Sequence, residues 1–249
     1  MRMILSFVSA LTIAAGAVLA GQGDSTTTVP ATGGDIVVTP LMRMSVQVEH
    51  AGKVIHVDPT SVGSAQAKPG DLILVTDIHR DTYDLDQITK ICKPGAPVVM
   101  TAAAAKMAGG KIAAPTNVLA NGESVKIGDI TIEAVPAYNA SGRGPKPGAE
   151  PFFPKGRGNG YVVTIGDKRL LFAGNTECTP EVKALKDIEV AFLPIRMPET
   201  MQPYDAGECA KVFQPRTVYA YHYEGQKNDE AFFRAVLKPT KMNVKVQIQ

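Results

Sequence analysis

The first half of the chain alternates short apolar, β-branched runs with turn signals, which is the pattern of strands separated by turns. Helical spacing appears at Asp84, where apolar residues recur every three or four positions and the aspartate is placed to cap the first turn. The predicted strands are 45–50, 54–58, 72–76, 98–100 and 117–120, and the predicted helices are 84–92 and 102–108.

The second half begins with hairpins and then alternates strands with helices. Two-residue turns at Gly128-Asp129 and Gly166-Asp167 predict one hairpin over 124–127 and 130–135 and a second over 160–165 and 169–173. A long loop without periodicity lies between them, at 139–159, and loops of this length are more often functional than idle. The helices that follow are predicted at 180–185, 205–213 and 229–237, and the strands at 188–194, 217–221 and 244–248.

Two runs of strands, each finished by helices, predict the fold class. They favour an α/β (α+β) protein with two mixed β-sheets packed face to face and helices on both outer faces, an αββα sandwich. A doubly wound parallel sheet is the alternative, but the consecutive hairpins require antiparallel pairing, which disfavours it. No internal repeat is detectable at the level of residues.

The N-terminal segment is predicted to direct export. Arg2 precedes the apolar run 4–20, which ends in small residues before polar sequence, as a secretory signal peptide does. An uncleaved anchor is the alternative, but a spanning helix needs about 20 apolar residues and this run is shorter. We therefore expect a signal peptide at 1–20, a flexible linker rich in Thr, Gly and Pro at 21–43, one domain at 44–249, and a periplasmic or secreted protein.

Charge and cysteine content narrow the partners. The 26 basic and 24 acidic residues give a formal charge of +2 and are scattered, so nothing favours binding of nucleic acid or of a membrane surface, and the expected partner is a small-molecule substrate. Cys92, Cys178 and Cys209 are an odd count for an exported chain, so at most one disulfide forms within it. The sequence does not say which two pair, and it leaves the oligomeric state open.

The strongest chemical signal follows the strand at 72–76. Asp77, His79 and Asp81 stand at i, i+2 and i+4, so in extended chain they project to one side. Carboxylates beside an imidazole suit a divalent cation, with Zn, Mn and Fe as candidates. Acidic residues also favour a helix N-terminus; that capping role is nearly sufficient for Asp84 and weaker for Asp81.

This segment resembles the His-x-His-x-Asp-His pattern of the metallo-β-lactamase superfamily, often extended by an Asp two residues on. The matching positions are Asp77, His79, Asp81, Thr82 and Asp84, so the second His and both Asp match while the first and fourth ligand positions differ. The resemblance runs from about Val46 to the C-terminus, and it includes an early strand that ends in Asp-Pro.

Three downstream segments are similar to a lactonase-like group of hydrolases within that superfamily. They are 135–139, which resembles its third motif, 155–161, which resembles a glycine-rich approach to a strand, and 173–177, which resembles a Gly-Asp-Thr motif. Asn175 replaces the bridging Asp, and Pro154 replaces a His. His222 ends a predicted strand and matches the last metal ligand.

The resemblance implies a metal-dependent hydrolase with a depleted metal site, holding a single ion, most simply Zn, or none. The implied metal ligands are His79, Asp81 and His222, with Asp77 and Asn175 as further oxygen donors, and Asp81 and Asp77 are the implied catalytic residues. Contacts to substrate are expected from Lys155, Arg157, Tyr138 and Asn139. Lys155 and Arg157 are more often solvated loop charges, and their functional alternative is recognition of an anionic group.

Three functions remain open from the sequence. The first is an exported hydrolase of a small ester, lactone or amide with one metal-activated water. The second is an inactive relative whose fold is retained for binding or scaffolding, which Asn175, Thr82 and Pro154 motivate. The third is a metal-free ligand-binding protein that uses the basic 155–157 segment. His50 and His56 are interpreted as ordinary packed or surface residues, and Cys178 has no adjacent histidine that could activate it as a nucleophile.

Overall fold

Two seven-stranded sheets make up most of the structure, a computed structural model that describes residues 26–63, 67–223 and 227–247. The predicted signal peptide at 1–20 lies outside the described residues. Among the described helices, none combines the length and the apolar character needed to cross a membrane.

The first sheet runs in chain order, with antiparallel pairing up to its fourth strand and parallel pairing after it. Its strands are β1 (Thr27–Val29), β2 (Ile36–Pro40), β3 (Val46–His50), β4 (Lys53–Val57), β5 (Leu72–Val75), β6 (Val98–Met100) and β7 (Thr116–Val118). Helices α1 (Leu85–Ile91) and α2 (Ala102–Ala108) connect the parallel strands and bury apolar side chains against their outer face. Asp84 caps α1 as predicted, because its side chain accepts a hydrogen bond from the backbone N–H of Gln87.

The second sheet repeats this arrangement, with antiparallel strands first and parallel strands last. Its strands are β8 (Ser124–Ile127), β9 (Ile130–Ala137), β10 (Gly158–Ile165), β11 (Lys168–Phe172), β12 (Ile188–Pro194), β13 (Thr217–Tyr221) and β14 (Asn243–Val246). Its helices are α3 (Pro180–Lys183), α4 (Pro203–Phe213) and α5 (Lys227–Leu237). The two halves thus share one pairing scheme, although their sequences show no repeat.

The main core lies between the two sheets. Buried side chains of both inner faces meet there, and the rings of Phe172, Phe192 and Tyr219 stack with centroids 5.3 and 4.5 Å apart. Truncating such a buried aromatic to Ala typically costs about 3–5 kcal/mol. A second cluster packs α4 and α5 on the other sheet face, so the predicted αββα sandwich is confirmed.

The predicted linker at 21–43 is wrong for its described part. Residues 27–29 and 36–40 form β1 and β2, and β2 pairs with β3 along four residues. Val29, Ile36 and Val38 are buried in the core between the sheets. The segment is rich in Thr, Gly and Pro, yet it contains two short strands in which buried residues alternate with more exposed ones. Pairing with the neighbouring strand stabilises them. The first sheet is therefore complete only with the segment that composition assigned to a tether.

The topology brings several loops to one edge of the sandwich. Asp77 follows β5, Asn175 follows β11, Arg196 follows β12 and His222 follows β13. The carboxyl ends of parallel strands lie at the same edge of a sheet, which is where open α/β sheets place their ligands. The long loop between β9 and β10, residues 138–157, reaches the same edge through the contacts described below.

Candidate metal centre

Three donor side chains converge from the two sheets. His79 and Asp81 lie in the loop after β5 of the first sheet, and His222 directly follows β13 of the second. One ligand atom from each can be chosen such that all three lie within 4.8 Å of one another. Asp81 and His222 are buried, whereas the side chain of His79 remains 20% exposed and forms the solvent side of the group. Two imidazoles and one carboxylate are a donor set used for divalent ions with an open position.

Asp81 is the most heavily engaged residue of the group. Its Oδ1 accepts a hydrogen bond from Nη1 of Arg43, and its Oδ2 accepts one from Nη1 of Arg196 at 2.6 Å. Nε2 of His222 lies 3.2 Å from the same Oδ2. Burial by itself would raise the pKa of Asp81, but the hydrogen bonds from His222 and Arg43 hold that pKa well below its usual value. Asp81 is therefore a carboxylate at neutral pH.

Both histidines of the group are held neutral. Burial lowers the pKa of His222 and of His79, and this effect outweighs the nearby carboxylates, which act in the opposite direction. A neutral imidazole is the form that binds a metal. The backbone of His222 has a positive φ of 51°, and its N–H donates to the carbonyl of Arg43 at 3.1 Å, so the residue is positioned from both sheets.

Asp77 is paired with an arginine outside the three-donor group. Nε and Nη2 of Arg157 donate to its two carboxylate oxygens at 3.1 and 2.9 Å, and Nη2 also donates to the carbonyl of Phe152 at 2.9 Å. Asp77 is buried, and its role as a further metal ligand or proton acceptor stays a prediction. Arg157 is likewise committed to an ion pair within the chain, so binding an anionic ligand would require that pair to break.

A second ion would lack donors among the described residues. The hydroxyl of Thr82 donates to the carbonyls of Asp77 and His79, at 3.1 and 3.0 Å, and so supports the loop. Pro154 offers no side-chain donor. Asn175 is buried, yet neither its Oδ1 nor its Nδ2 has a hydrogen-bond partner. An amide oxygen is a weaker ligand than the carboxylate it replaces. The residues present fit one divalent ion at His79, Asp81 and His222, and they do not fit two.

Asn139 and Tyr138, predicted to contact substrate, are engaged within the protein. The amide of Asn139 donates to the carbonyl of Glu199 at 2.9 Å and accepts from the N–H of Phe153 at 2.7 Å, which joins the 138–157 loop to the loop after β12. The hydroxyl of Tyr138 donates to Glu181 at 3.2 Å. Lys155 forms an ion pair with the same Glu181 at 2.8 Å. These contacts give all three residues a role in shaping the loop; substrate contact stays a prediction.

Sequence reasoning missed three charged residues of the site: Arg43, Arg196 and Glu199. Oε2 of Glu199 lies 3.7 Å from Nε2 of His79 and 3.4 Å from Nε of Arg196. Arg43 lay in the segment taken for a linker. Arg196 and Glu199 follow the end of a predicted strand, and this position alone indicated that they could lie at the site. The residues that follow parallel strands of one sheet lie at the same edge of that sheet.

The remaining histidines and cysteines are accounted for outside the site. His56 is fully buried, with Nε2 2.7 Å from the carbonyl of Lys68, and neither it nor His50 joins the donor group found among the described residues. Cys178 and Cys209 form a disulfide, which ties the loop after β11 to α4, and Cys92 is free. Cys178 therefore has no thiol that could act as a nucleophile.

The sequence also matches known families. Residues 38–222 match a family model described as a beta-lactamase superfamily domain. A metal-dependent hydrolase of Pyrococcus abyssi is 30% identical over 183 residues, which are 69% of this chain and 77% of the relative. A metal-dependent hydrolase of Deinococcus radiodurans is 26% identical over 71% of this chain and 76% of its own length.

Solved structures agree with these matches. A protein of Parabacteroides distasonis, provisionally assigned as a metal-dependent hydrolase, aligns with a TM-score of 0.80 and 31% identity over 90% of this chain and 99% of its own. A metallo-beta-lactamase fold protein of Bacillus subtilis aligns with a TM-score of 0.64 over 89% of this chain and 94% of its own. At 12% identity, that second likeness concerns the fold alone.

Proposed function

The chain belongs to the metallo-β-lactamase superfamily, and from that premise we propose that it is a metal-dependent hydrolase that uses one divalent ion. The observation that carries the proposal is the convergence of His79, Asp81 and His222 within 4.8 Å. When bound there, the ion would supply a water of lowered pKa, a nucleophile at neutral pH. Zn is the simplest choice for two imidazoles and one carboxylate, with Mn and Fe as alternatives.

The chain's own residues divide the remaining work. Asp81 and the neutral imidazoles of His79 and His222 hold the cation, and the exposed side of His79 is where substrate approaches. Asp77 is fixed by Arg157, so it positions the loop that carries His79 and Asp81. We assign proton acceptance to Glu199, because its Oε2 lies 3.7 Å from His79 Nε2 and makes no hydrogen bond, its ion pair with Nε of Arg196 being 3.4 Å long.

The substrate class we propose is a small ester, lactone or amide. Each contains a carbonyl that a metal-activated hydroxide can attack, and each develops negative charge on oxygen as it reacts. The guanidinium groups of Arg43 and Arg80 flank Asp81 with side chains 37% and 69% exposed, and they place positive charge beside the approach to His79.

Hydrolysis of a substrate panel tests this proposal. The purified protein would be loaded separately with Zn, Mn or Fe and assayed on nitrophenyl esters, γ- and δ-lactones and simple amides. We expect turnover in at least one class that chelation abolishes and that His222→Ala lowers by more than about 100-fold. His50→Ala is the matched control and should retain activity. Absence of turnover with every metal and every class would refute the proposal.

A protein that binds a ligand without catalysis is the second candidate. The unpartnered amide of Asn175 and the use of Thr82 to support the backbone favour it, because both positions have lost metal donors. Under this candidate, the melting temperature of the wild type does not change on chelation or on addition of metal. His79→Ala leaves it unchanged as well. A rise in melting temperature on loading the wild type with metal favours the hydrolase instead.

We further propose that the protein is exported to the periplasm or secreted. The apolar 4–20 segment and the Cys178–Cys209 disulfide support this location, because disulfides persist in oxidising compartments. Fractionation of the producing cell with N-terminal sequencing should find a mature protein that begins near Gly21 outside the cytoplasm. A full-length chain in the cytoplasm, with Cys178 and Cys209 reduced, is the contrary result.

A further inference from the structure

One nitrogen of Arg196 lies among the donors of the candidate metal centre. Nη1 of Arg196 is 2.6 Å from Asp81 Oδ2 and 3.2 Å from His222 Nε2, and the arginine side chain is only 11% exposed. Two of the three donor groups thus face a positive charge that the chain itself supplies. The inference below rests on the proposed metal site and concerns what competes for it.

The backbone around Arg196 holds this side chain in place. Its N–H donates to the hydroxyl of Thr200 at 2.8 Å, and its carbonyl accepts from the N–H of Thr200 at 2.7 Å, so the segment forms a tight, self-bonded loop. Nε of the guanidinium lies 3.4 Å from Oε2 of Glu199. The guanidinium therefore contacts one carboxylate on each side, Asp81 inside the site and Glu199 beside it.

A divalent ion and this guanidinium would compete for the same two donor atoms, Asp81 Oδ2 and His222 Nε2. An ion at the usual 2.0–2.2 Å from Asp81 Oδ2 and His222 Nε2 would lie within about 4 Å of Arg196 Nη1. In a site from which water is largely excluded, the repulsion between a dication and a guanidinium at that separation is large. The carboxylate oxygen that would bind the ion is also the acceptor of the guanidinium N–H, and that hydrogen bond competes with coordination.

We infer that Arg196 is an internal cation that occupies the metal centre and must leave Asp81 before an ion can bind. Glu199 remains its partner when it moves, since Nε makes the contact with Glu199 and Nη1 makes the one with Asp81. Arg196 therefore sets the affinity of the site, which is lower than two imidazoles and a carboxylate would give without it. The guanidinium of Arg43 acts on the other oxygen of Asp81, whereas Arg43 contacts His222 only through its backbone carbonyl, so the Arg43 side chain neutralises the carboxylate without filling the site.

Calorimetric titration with Zn²⁺ and Mn²⁺ on two matched variants tests this inference. Arg196→Gln removes the guanidinium from the donors, whereas Arg80→Gln removes an equal charge whose Nε lies 3.8 Å from Asp81 Oδ2, on a side chain 69% exposed. We expect Arg196→Gln to bind Zn²⁺ at least about tenfold more tightly than wild type, and Arg80→Gln to stay within about twofold, because an exposed charge is screened.

The outcomes separate this inference from the proposed function. Equal affinities in wild type and Arg196→Gln, or equal gains in both variants, overturn competition by Arg196 while the metal site stands. Failure of every protein, including Arg196→Gln, to bind either ion overturns both.

A measurement on the wild type covers the case in which Arg196→Gln does not fold. In a protein labelled on arginine nitrogen, saturating Zn²⁺ should shift the side-chain Nε–H resonance of Arg196 and leave that of Arg169 unchanged, since Arg169 pairs with Glu133 on the second sheet. Binding of Zn²⁺ without a shift at Arg196 overturns the inference.

Discussion

Oδ2 of Asp81 lies 3.2 Å from Nε2 of His222, although 141 residues separate them in the chain. Asp81 belongs to the loop after β5 of the first sheet, and His222 directly follows β13 of the second. The contact therefore closes the edge of the sandwich and assembles the candidate metal centre in one step. Metal affinity and the packing of the two sheets should consequently be coupled, because the donors meet only in the folded protein.

Asp81→Asn should destabilise the protein, since it leaves two guanidinium groups without their shared carboxylate. Arg196 is largely buried and Arg43 about one-third exposed, so we expect a loss of about 2–4 kcal/mol in the free energy of unfolding. Denaturant titration measures it. Glu230→Gln is the control, because Glu230 forms an exposed pair with Arg234 and its loss should cost under about 1 kcal/mol. Equal losses in both variants would contradict the account.

The Asp77–Arg157 pair should show strong coupling in a double-mutant cycle. Arg157→Gln leaves the carboxylate of Asp77, whose side chain is 2% exposed, without a counter-charge and should cost about 3 kcal/mol. Adding Asp77→Asn should recover at least about 1 kcal/mol of that loss, because the unpaired charge is gone. Additive losses across the cycle would mean that the two-point contact contributes nothing to stability.

Much of the fold could be predicted because periodicity reports local structure. The strands from 45 onward and the helices at 84–92 and 102–108 lie within a few residues of their predicted bounds, and the sandwich follows from their order. β1 and β2 were not predicted, because a strand of three residues and one of five that ends in proline stand within Thr-, Gly- and Pro-rich sequence and depend on their partner strands for stability. Helices and strands can therefore be predicted from the sequence wherever apolar residues recur with a clear period.

The three donor side chains of the candidate metal centre could be predicted from motif positions, but the arginines around them could not. His79, Asp81 and His222 follow strands at positions that the family motif identifies. Arg43 and Arg196 match no motif, and their contact with Asp81 arises only when three loops meet. Residues that act through long-range ion pairs carry no local pattern, so a structure is needed to find them.

Removal of the disulfide should lower the free energy of unfolding far more than substitution of the free cysteine does. Cys178 and Cys209 are 31 residues apart, and the entropy model for a loop of that length gives about 3–4 kcal/mol. The paired Cys178→Ala and Cys209→Ala substitutions should therefore lower the midpoint of chemical unfolding, as should reduction. Cys92→Ala, at the free cysteine, should cost about 1 kcal/mol or less. An unchanged midpoint after reduction would show that the crosslink contributes no stability.

His56 should make stability fall as the solution becomes acidic. Burial lowers the pKa of this imidazole in the folded protein, so below about pH 6.5 the unfolded chain takes up the proton first. Its contribution to the free energy of unfolding should decline by up to about 1.4 kcal/mol per pH unit until the lowered pKa is reached. His56→Gln should show a shallower decline between pH 6.5 and 5, and parallel behaviour above pH 7.5. A steeper decline of the free energy of unfolding in His56→Gln would mean that His56 stabilises the protein on acidification, which would contradict the account.

Metal stoichiometry tests the central claim most directly. Equilibrium dialysis against increasing Zn²⁺, followed by elemental analysis of the protein, should reach one ion per chain in wild type and in His50→Ala. It should find none in His79→Ala or His222→Ala, with circular dichroism confirming that each variant is folded. Saturation at one ion that depends on both histidines is the predicted result. A wild type that binds no ion at saturating Zn²⁺, or a His222→Ala variant that binds as well as wild type, would contradict it.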